Sequence, residues 1–266
     1  MDYLSELENK TIYILREAYN RFRKTALLWS IGKDSTSLLW IARKAFFGTI
    51  PFPVVHIDTT FKFREIYEFR DKYVKEWNLN FIVSKNDAAI RKGACSEGGK
   101  FECCNLLKTE ALKTTLKEYG FKALFLAIRR DEHGIRAKER YFSPRDESFN
   151  WNYFDQPAEL WDLYKNKAKD EEHFRIHPML HWTELDIWRY IRREEIPTVS
   201  LYLARNGHRY RSIGCQPCCA PIASGANSIK KIIKELETTK VAERSGRAQD
   251  KEDPYTMQRL RSLGYM

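Results

Sequence analysis

Apolar residues recur near helical spacing through the first 24 positions: Leu4, Leu7, Ile12, Leu15, Ala18 and Tyr19, with charged residues between them. The run Ala26-Leu27-Leu28-Trp29 then breaks abruptly at Ser30, the pattern of a short buried strand. From Ser35 the helical period returns, with Leu38, Leu39, Ala42 and Phe46 on one face and a stop at Gly48. The alternation repeats. Pro53 to Ile57 reads as a strand ending at Asp58, Phe63 to Trp77 as a helix, and Phe81-Ile82-Val83 as a third strand. After a glycine-rich loop from Gly93 to Gly99, Leu106, Leu107, Ala111, Leu112 and Leu116 mark a helix stopped by Gly120. Ala123 to Ile128 is a fourth strand.

This alternation predicts an α/β fold: a mainly parallel sheet sandwiched by helices, Rossmann-like. Ligands of such sheets collect at the carboxyl ends of the strands. Ser30, Asp58 and Arg129 each follow a predicted strand directly, so they are expected on one rim. From Arg129 to Glu172 the texture is polar and basic, and Arg175 to Met179 reads as an edge strand. Thr183 caps a helix through Ile191, with Asp186 completing a capping box. Residues 196–227 look irregular, Ile229 to Leu236 helical, and the tail from Glu243 highly charged. The expected division is a nucleotide domain over residues 1–180 and a helical and irregular extension over 181–266.

Charge narrows the ligands. With 46 basic against 36 acidic residues, the net charge of +10 suits a polyanion such as a nucleotide, pyrophosphate or nucleic acid. No stretch approaches the roughly 20 apolar residues of a membrane span. The acidic start, Met1 to Glu6, lacks the order of a signal peptide, so a cytoplasmic location is expected.

The chemistry concentrates at Ser30-Ile31-Gly32-Lys33-Asp34-Ser35-Thr36, between a strand and a helix. Small residues there admit an anion to the backbone, and the helix start offers unpaired N–H donors. Lys33 adds a point charge, Ser35 and Thr36 hydroxyls. This is not the Walker pattern. It resembles the Ser-Gly-Gly-Lys-Asp-Ser signature of PP-loop ATP pyrophosphatases (the adenine nucleotide alpha hydrolase-like fold), which implies ATP cleaved between its α- and β-phosphates. Ile31 replaces the first glycine. A β-branched residue is costly if that position needs positive φ; the expectation is that it only directs its side chain into the sheet.

Longer stretches narrow the resemblance. Lys44 to Phe47, Pro51 to Pro53, His56 to Thr59, Lys62 to Asp71, Arg129 to Glu132, Arg136 to Arg140, Trp182 to Trp188, Pro197 to Leu203 and Glu243 to Arg247 resemble the small, catalytic subunit of two-component sulfate adenylyltransferase, a PAPS reductase-like family. The resemblance implies ATP and sulfate giving adenylyl sulfate and pyrophosphate, with Mg²⁺ and a GTPase large subunit as partner. Lys33 and the loop N–H groups are then candidates for the β- and γ-phosphates, alongside Ser30, Gly32, Asp34, Ser35 and Thr36. Arg129 and Arg130 are candidates for the α-phosphate or the attacking oxyanion, and Asp58 for the ribose, adenine or Mg²⁺ region. Arg136, Lys138 and Arg140 form a second basic cluster, in a segment expected to close over the site. Asp131, Glu132 and Glu139 read equally as solvated ion-pair partners of those arginines, and His56 as a core histidine.

Of six cysteines, Cys103-Cys104 and Cys215-Gln216-Pro217-Cys218 resemble the pairs that bind a [4Fe–4S] cluster in iron–sulfur sulfonucleotide reductases. A cluster, a structural zinc and free thiols all stay open, in that order. The reductases' nucleophilic cysteine near the C-terminus has no counterpart, since no cysteine follows Cys219. A rival function combines charge and thiols: ATP-driven activation of nucleic acid for sulfur insertion, as in tRNA thiolation or DNA phosphorothioation, with a cysteine desulfurase partner.

Overall fold

The computed structural model describes residues 2–164, 173–247 and 255–265. The end of the polar stretch (165–172) and the charged run 248–254 lie outside the described residues. Six strands form one sheet: β1 (Thr25–Leu28), β2 (Val54–Ile57), β3 (Phe81–Ser84), β4 (Ala123–Phe125), β5 (Phe142–Arg145) and β6 (His173–Ile176). Their order is β3-β2-β1-β4-β6-β5, all parallel except the β5–β6 pair. β1, β2 and β4 are buried throughout, which is why they read as unbroken apolar runs. The expected edge strand lies inside the sheet as β6, and the true edge is β5, which the polar texture concealed. Pro144 is tolerated there because an outermost strand has no further ladder to feed.

Helix α1 (Tyr3–Phe22) buries Leu7, Ile14, Leu15, Ala18 and Phe22, and Asp2 caps it by accepting from the Ser5 N–H at 2.8 Å. Helices α2 (Lys33–Ala45) and α3 (Arg64–Glu76) follow β1 and β2. Two short helices, α4 (Asp87–Arg91) and α5 (Lys100–Cys104), precede a π-helical turn over Asn105–Glu110 that leads into α6 (Ala111–Tyr119). Apolar spacing cannot reveal that turn. It follows Cys103 and Cys104 directly, and π-turns of this kind often mark functional sites. After α7 (Gly134–Ala137), α8 (Glu184–Arg193) starts with the capping box foreseen at Thr183 and Asp186. The last helices are α9 (Ile229–Leu236) and α10 (Thr256–Ser262). The main core continues past residue 180: Trp182, Ile187, Trp188 and Ile191 pack in one cluster with Ile14, Leu38 and Phe125. Among the described residues, no helix is long and apolar enough to cross a membrane.

Chain direction reverses at the sheet's centre. β1 leads outward to β2 and β3, and the chain then returns to lay β4 on the opposite side of β1. The carboxyl ends of β1 and β4 therefore flank a crevice, the usual ligand position in open α/β sheets.

Candidate nucleotide site

The loop after β1 opens that crevice. Gly32 precedes α2 in extended conformation, so Lys33 is its first residue and the N–H groups of the first turn face outward. Ser30, Gly32, Lys33, Asp34 and Ser35 line the cleft on one side. Ser30 and Ser35 share a hydrogen bond at 3.0 Å, and the buried Ser35 hydroxyl also reaches the Gly32 carbonyl at 3.2 Å. Thr36 goes elsewhere. It is buried, and its hydroxyl accepts from the Trp29 indole at 3.0 Å, so it braces the strand rather than the cleft.

Ile31 has φ of +65° and is 1% exposed within the main core. The position thus does require left-handed backbone, against the simpler expectation, and the side chain is buried as well. Packing holds a β-branched residue in a conformation that disfavours it. Ile31→Gly and Ile31→Ala both remove the side chain, but only glycine relieves the backbone. The glycine variant is expected to be the more stable by about 1 kcal/mol in urea unfolding.

Charges interlock around the loop. Lys33 donates through Nζ to Asp34 (3.1 Å) and to the Glu243 carboxylate. Arg129, fully buried, donates to Asp34, to Glu243 and, through Nε, to Asp131 at 2.9 Å. Glu132 pairs with Arg136 and with Arg244 at 3.2 Å. Burial favours the neutral form of Glu243, yet Arg129 and Lys33 outweigh it and hold the carboxyl below its usual range. Burial likewise presses on the Lys33 ammonium, but Glu243 prevails and its pKa is raised. Arg136 is drawn down to about 10, chiefly by burial, with Glu132 opposing.

Lys33 and Arg136 line the cleft, and Arg129 lies behind the loop against Asp34. The other predicted basic residues do not join them. Arg130 stacks over the Tyr141 ring at 5.1 Å, Lys138 over Tyr153 at 5.9 Å, and Arg140 donates to the Pro157 carbonyl at 3.0 Å. Asp58 sits at the end of β2 but is not part of the cleft wall. It accepts from the Thr60 N–H and the Tyr67 hydroxyl, each at 2.8 Å. Burial works against its charge, and these bonds with Lys85 still keep its pKa low. His56 is the core histidine expected: buried, bonded to the Trp29 carbonyl at 2.9 Å, and pushed down to about 3 by desolvation.

Comparison with known proteins now applies. The phosphoadenosine phosphosulfate reductase domain matches residues 24–221. Sulfate adenylyltransferase subunit 2 of Pseudomonas paraeruginosa is 38% identical over 300 positions, covering 100% of this chain and 98% of that protein. The subunit of the same description from Phocaeicola vulgatus is 40% identical over 297 positions, with the same coverage. The chain belongs to the sulfate adenylyltransferase subunit 2 family. Two solved structures share the fold of this family member. One is the FMN adenylyltransferase of Candida glabrata in complex with ATP (TM-score 0.58, 20% identity, 82% of this chain, 63% of that chain). The other is the phosphoadenylyl-sulfate reductase of Candida auris in a phosphate complex (TM-score 0.56, 17% identity, 82% and 97%).

Beyond its loop, this subunit 2 relative builds the cleft from segments that sequence reading left without a role. The Tyr202 hydroxyl accepts the Lys33 backbone N–H at 2.9 Å, Arg244 and Arg247 return from the chain's end to line the cleft, and Glu243 beside them is buried against Lys33 and Arg129. The only signal for them was the matching runs Pro197 to Leu203 and Glu243 to Arg247. Beside the cleft, Cys103, Cys104, Cys215 and Cys218 line one small pocket with Thr59 and Lys108. Lys108 lies in the walls of both cavities and donates to the Cys104 sulfur at 3.6 Å. Burial alone would raise the Cys215 thiol, but Lys108, Lys62 and the Thr59 hydroxyl bring it down to about 7. Cys103 moves the other way, up to about 12, through burial and the neighbouring thiols. Among the described residues, no three side chains already stand in the geometry of a single-ion site.

Proposed function

We propose that this protein cleaves ATP between the α- and β-phosphates and transfers the adenylyl group to sulfate, giving adenylyl sulfate and pyrophosphate. Full-length similarity to relatives described as sulfate adenylyltransferase subunit 2 carries the reading. The site supplies the physical means. Lys33 and the free N–H groups of α2 hold the departing pyrophosphate, where their fixed positive charge lowers the barrier. The incoming phosphates take over cations now neutralised by Glu243 and Asp34. These two carboxylates are hard oxygen donors at the loop and are the residues that would hold Mg²⁺. Arg136, in the cleft wall, serves the α-phosphate, and Arg129 adds positive charge from behind the loop while positioning Asp34 and Glu243. Sulfate is already an anion near neutral pH and needs no base. Arg130, Lys138 and Arg140 take no part.

A GTPase large subunit is the partner this reading entails. The experiment follows pyrophosphate release from ATP with sulfate, with and without such a partner, against release with DNA or tRNA and a cysteine desulfurase. Sulfate-dependent release supports the proposal, and release that requires nucleic acid replaces it with sulfur insertion. The thiol pocket beside the cleft is the observation that keeps the second reading in play.

The four thiols that line one pocket fit a [4Fe–4S] cluster, whose thiolates are spread over separate irons, with a structural zinc as the alternative. Cys103, Cys104, Cys215 and Cys218 would hold it, and it would place a compact anionic group next to Lys108. Purified anaerobically, the protein is expected to carry iron and acid-labile sulfide, both lost in Cys103→Ser. Stoichiometric zinc in place of iron would reverse the assignment.

A further inference from the structure

Cations around the cleft fall into two groups. Lys33, Arg129, Arg136 and Arg244 are each matched by a carboxylate from Asp34, Asp131, Glu132 or Glu243. Lys62, Lys108 and Arg247 line the same cleft, and among the described residues none of the three pairs with a carboxylate. Their neighbours are weaker: Lys108 meets the Cys104 sulfur and the Tyr265 hydroxyl (3.3 Å), and Arg247 donates to the Cys219 sulfur at 2.7 Å. Lys108 also faces the thiol pocket, but Lys62 and Arg247 have no carboxylate partner among the described residues, and cations left without a counter-anion are costly unless a ligand supplies the charge.

Backbone detail shows that the group is built. Lys62 is tied to Cys215 through an antiparallel bridge, and the Gln216 N–H donates to the Phe61 carbonyl at 2.7 Å. Arg247 is bridged to Cys219 in the same manner. Gly214 makes room for it: a Cβ there would stand 2.2 Å from the guanidinium, so any side chain would push Arg247 aside. Lys62 and Arg247 belong to the cleft wall and not to that of the thiol pocket; only Lys108 serves both. The excess charge therefore faces the nucleotide cavity.

We propose that Lys62, Lys108 and Arg247 form the acceptor subsite, which receives a tetrahedral dianionic oxyanion of the sulfate class in the same cleft as the loop. This rests on the adenylyl-transfer reading. Two groups of anion-binding residues in one cavity, the loop and this triad, would hold donor and acceptor together. The neutral variant Lys62→Met removes one charged donor and is expected to raise the sulfate KM about 10- to 100-fold, with the ATP KM within about twofold and Lys62→Arg recovering part of the loss. Pyrophosphate release is measured with sulfate, selenate and molybdate as probes, alongside iron content. If no oxyanion stimulates release by the parent protein, the adenylyl-transfer reading fails. If the parent responds and Lys62→Met leaves the sulfate KM unchanged, shifts both KM values alike, or loses its iron, the subsite is overturned.

Discussion

Replacing Lys33 by alanine is expected to slow pyrophosphate release at saturating ATP by about 100- to 1,000-fold, the loss typical of removing one preorganised donor from a developing negative charge. The side chain is 1% exposed, at the first position of α2, with its ammonium against Asp34 and Glu243. Its removal does not orphan Glu243, which keeps Arg129. The melting curve is therefore expected to stay close to the parent's, and near-parental turnover in a folded Lys33→Ala would remove the loop from the chemistry. Arg129 behaves differently. It alone joins Asp34, Asp131 and Glu243, so Arg129→Ala removes the cation shared by the buried Glu243 and two more exposed carboxylates, and leaves a cavity where a fully buried side chain stood. Stability should fall with activity there, by about 3–5 kcal/mol, which makes Lys33 the cleaner probe.

The contrast shows which parts of the site a linear reading reaches. The loop and its flanking elements were legible because a buried parallel strand gives an unbroken apolar run and a helix start gives its own polar signature. Within the loop, the direction of each side chain was not legible: Thr36 turns inward to the Trp29 indole, while Ser35, one residue earlier, stays at the cleft. The left-handed backbone at Ile31 is hidden in the sequence, because a buried apolar side chain is by itself sufficient reason for isoleucine there. Arginines near Arg129 were grouped by proximity in sequence. A chain leaving a strand scatters consecutive side chains, so Arg130 reaches Tyr141 and Arg140 reaches Pro157. Glu243 lies 210 residues from the lysine it touches, a pairing that only tertiary structure creates. The four thiols whose spacing resembles a known pattern line one pocket.

Glu139 carries the second large expectation. Expected as one member of a solvated network, it is fully buried, and it alone faces three buried guanidiniums. Arg145 donates to it at 2.9 Å, Arg261 donates to the same oxygen, and Arg175 packs alongside with its Nε and Nη1 unpaired. Ser143 adds a hydrogen bond at 2.6 Å. His177 offers no charge, since burial drives its pKa down to about 3. Glu139→Gln keeps the shape and removes the buried negative charge that Arg145 and Arg261 share, leaving three guanidiniums in a low-dielectric layer between β5, β6 and α10. A loss of about 3–5 kcal/mol is expected in denaturant unfolding. Arg175→Met tests the same electrostatics from the other side. That guanidinium's one hydrogen bond is to the Gly264 carbonyl, at 3.3 Å, and it repels Arg145 and Arg261, so its replacement should be neutral or stabilising. The pH dependence follows in sign. Burial raises the Glu139 pKa, but Arg145 and Arg261 overcome it, so the folded value lies well below the ordinary 4.5. Its contribution is complete above about pH 4.5 and fades as acid protonates the group on the way to its folded pKa. The parent should lose stability below that point, and Glu139→Gln should lose correspondingly less over the same interval. Parallel acid profiles in the two proteins would show that the carboxylate is not the group that neutralises this layer.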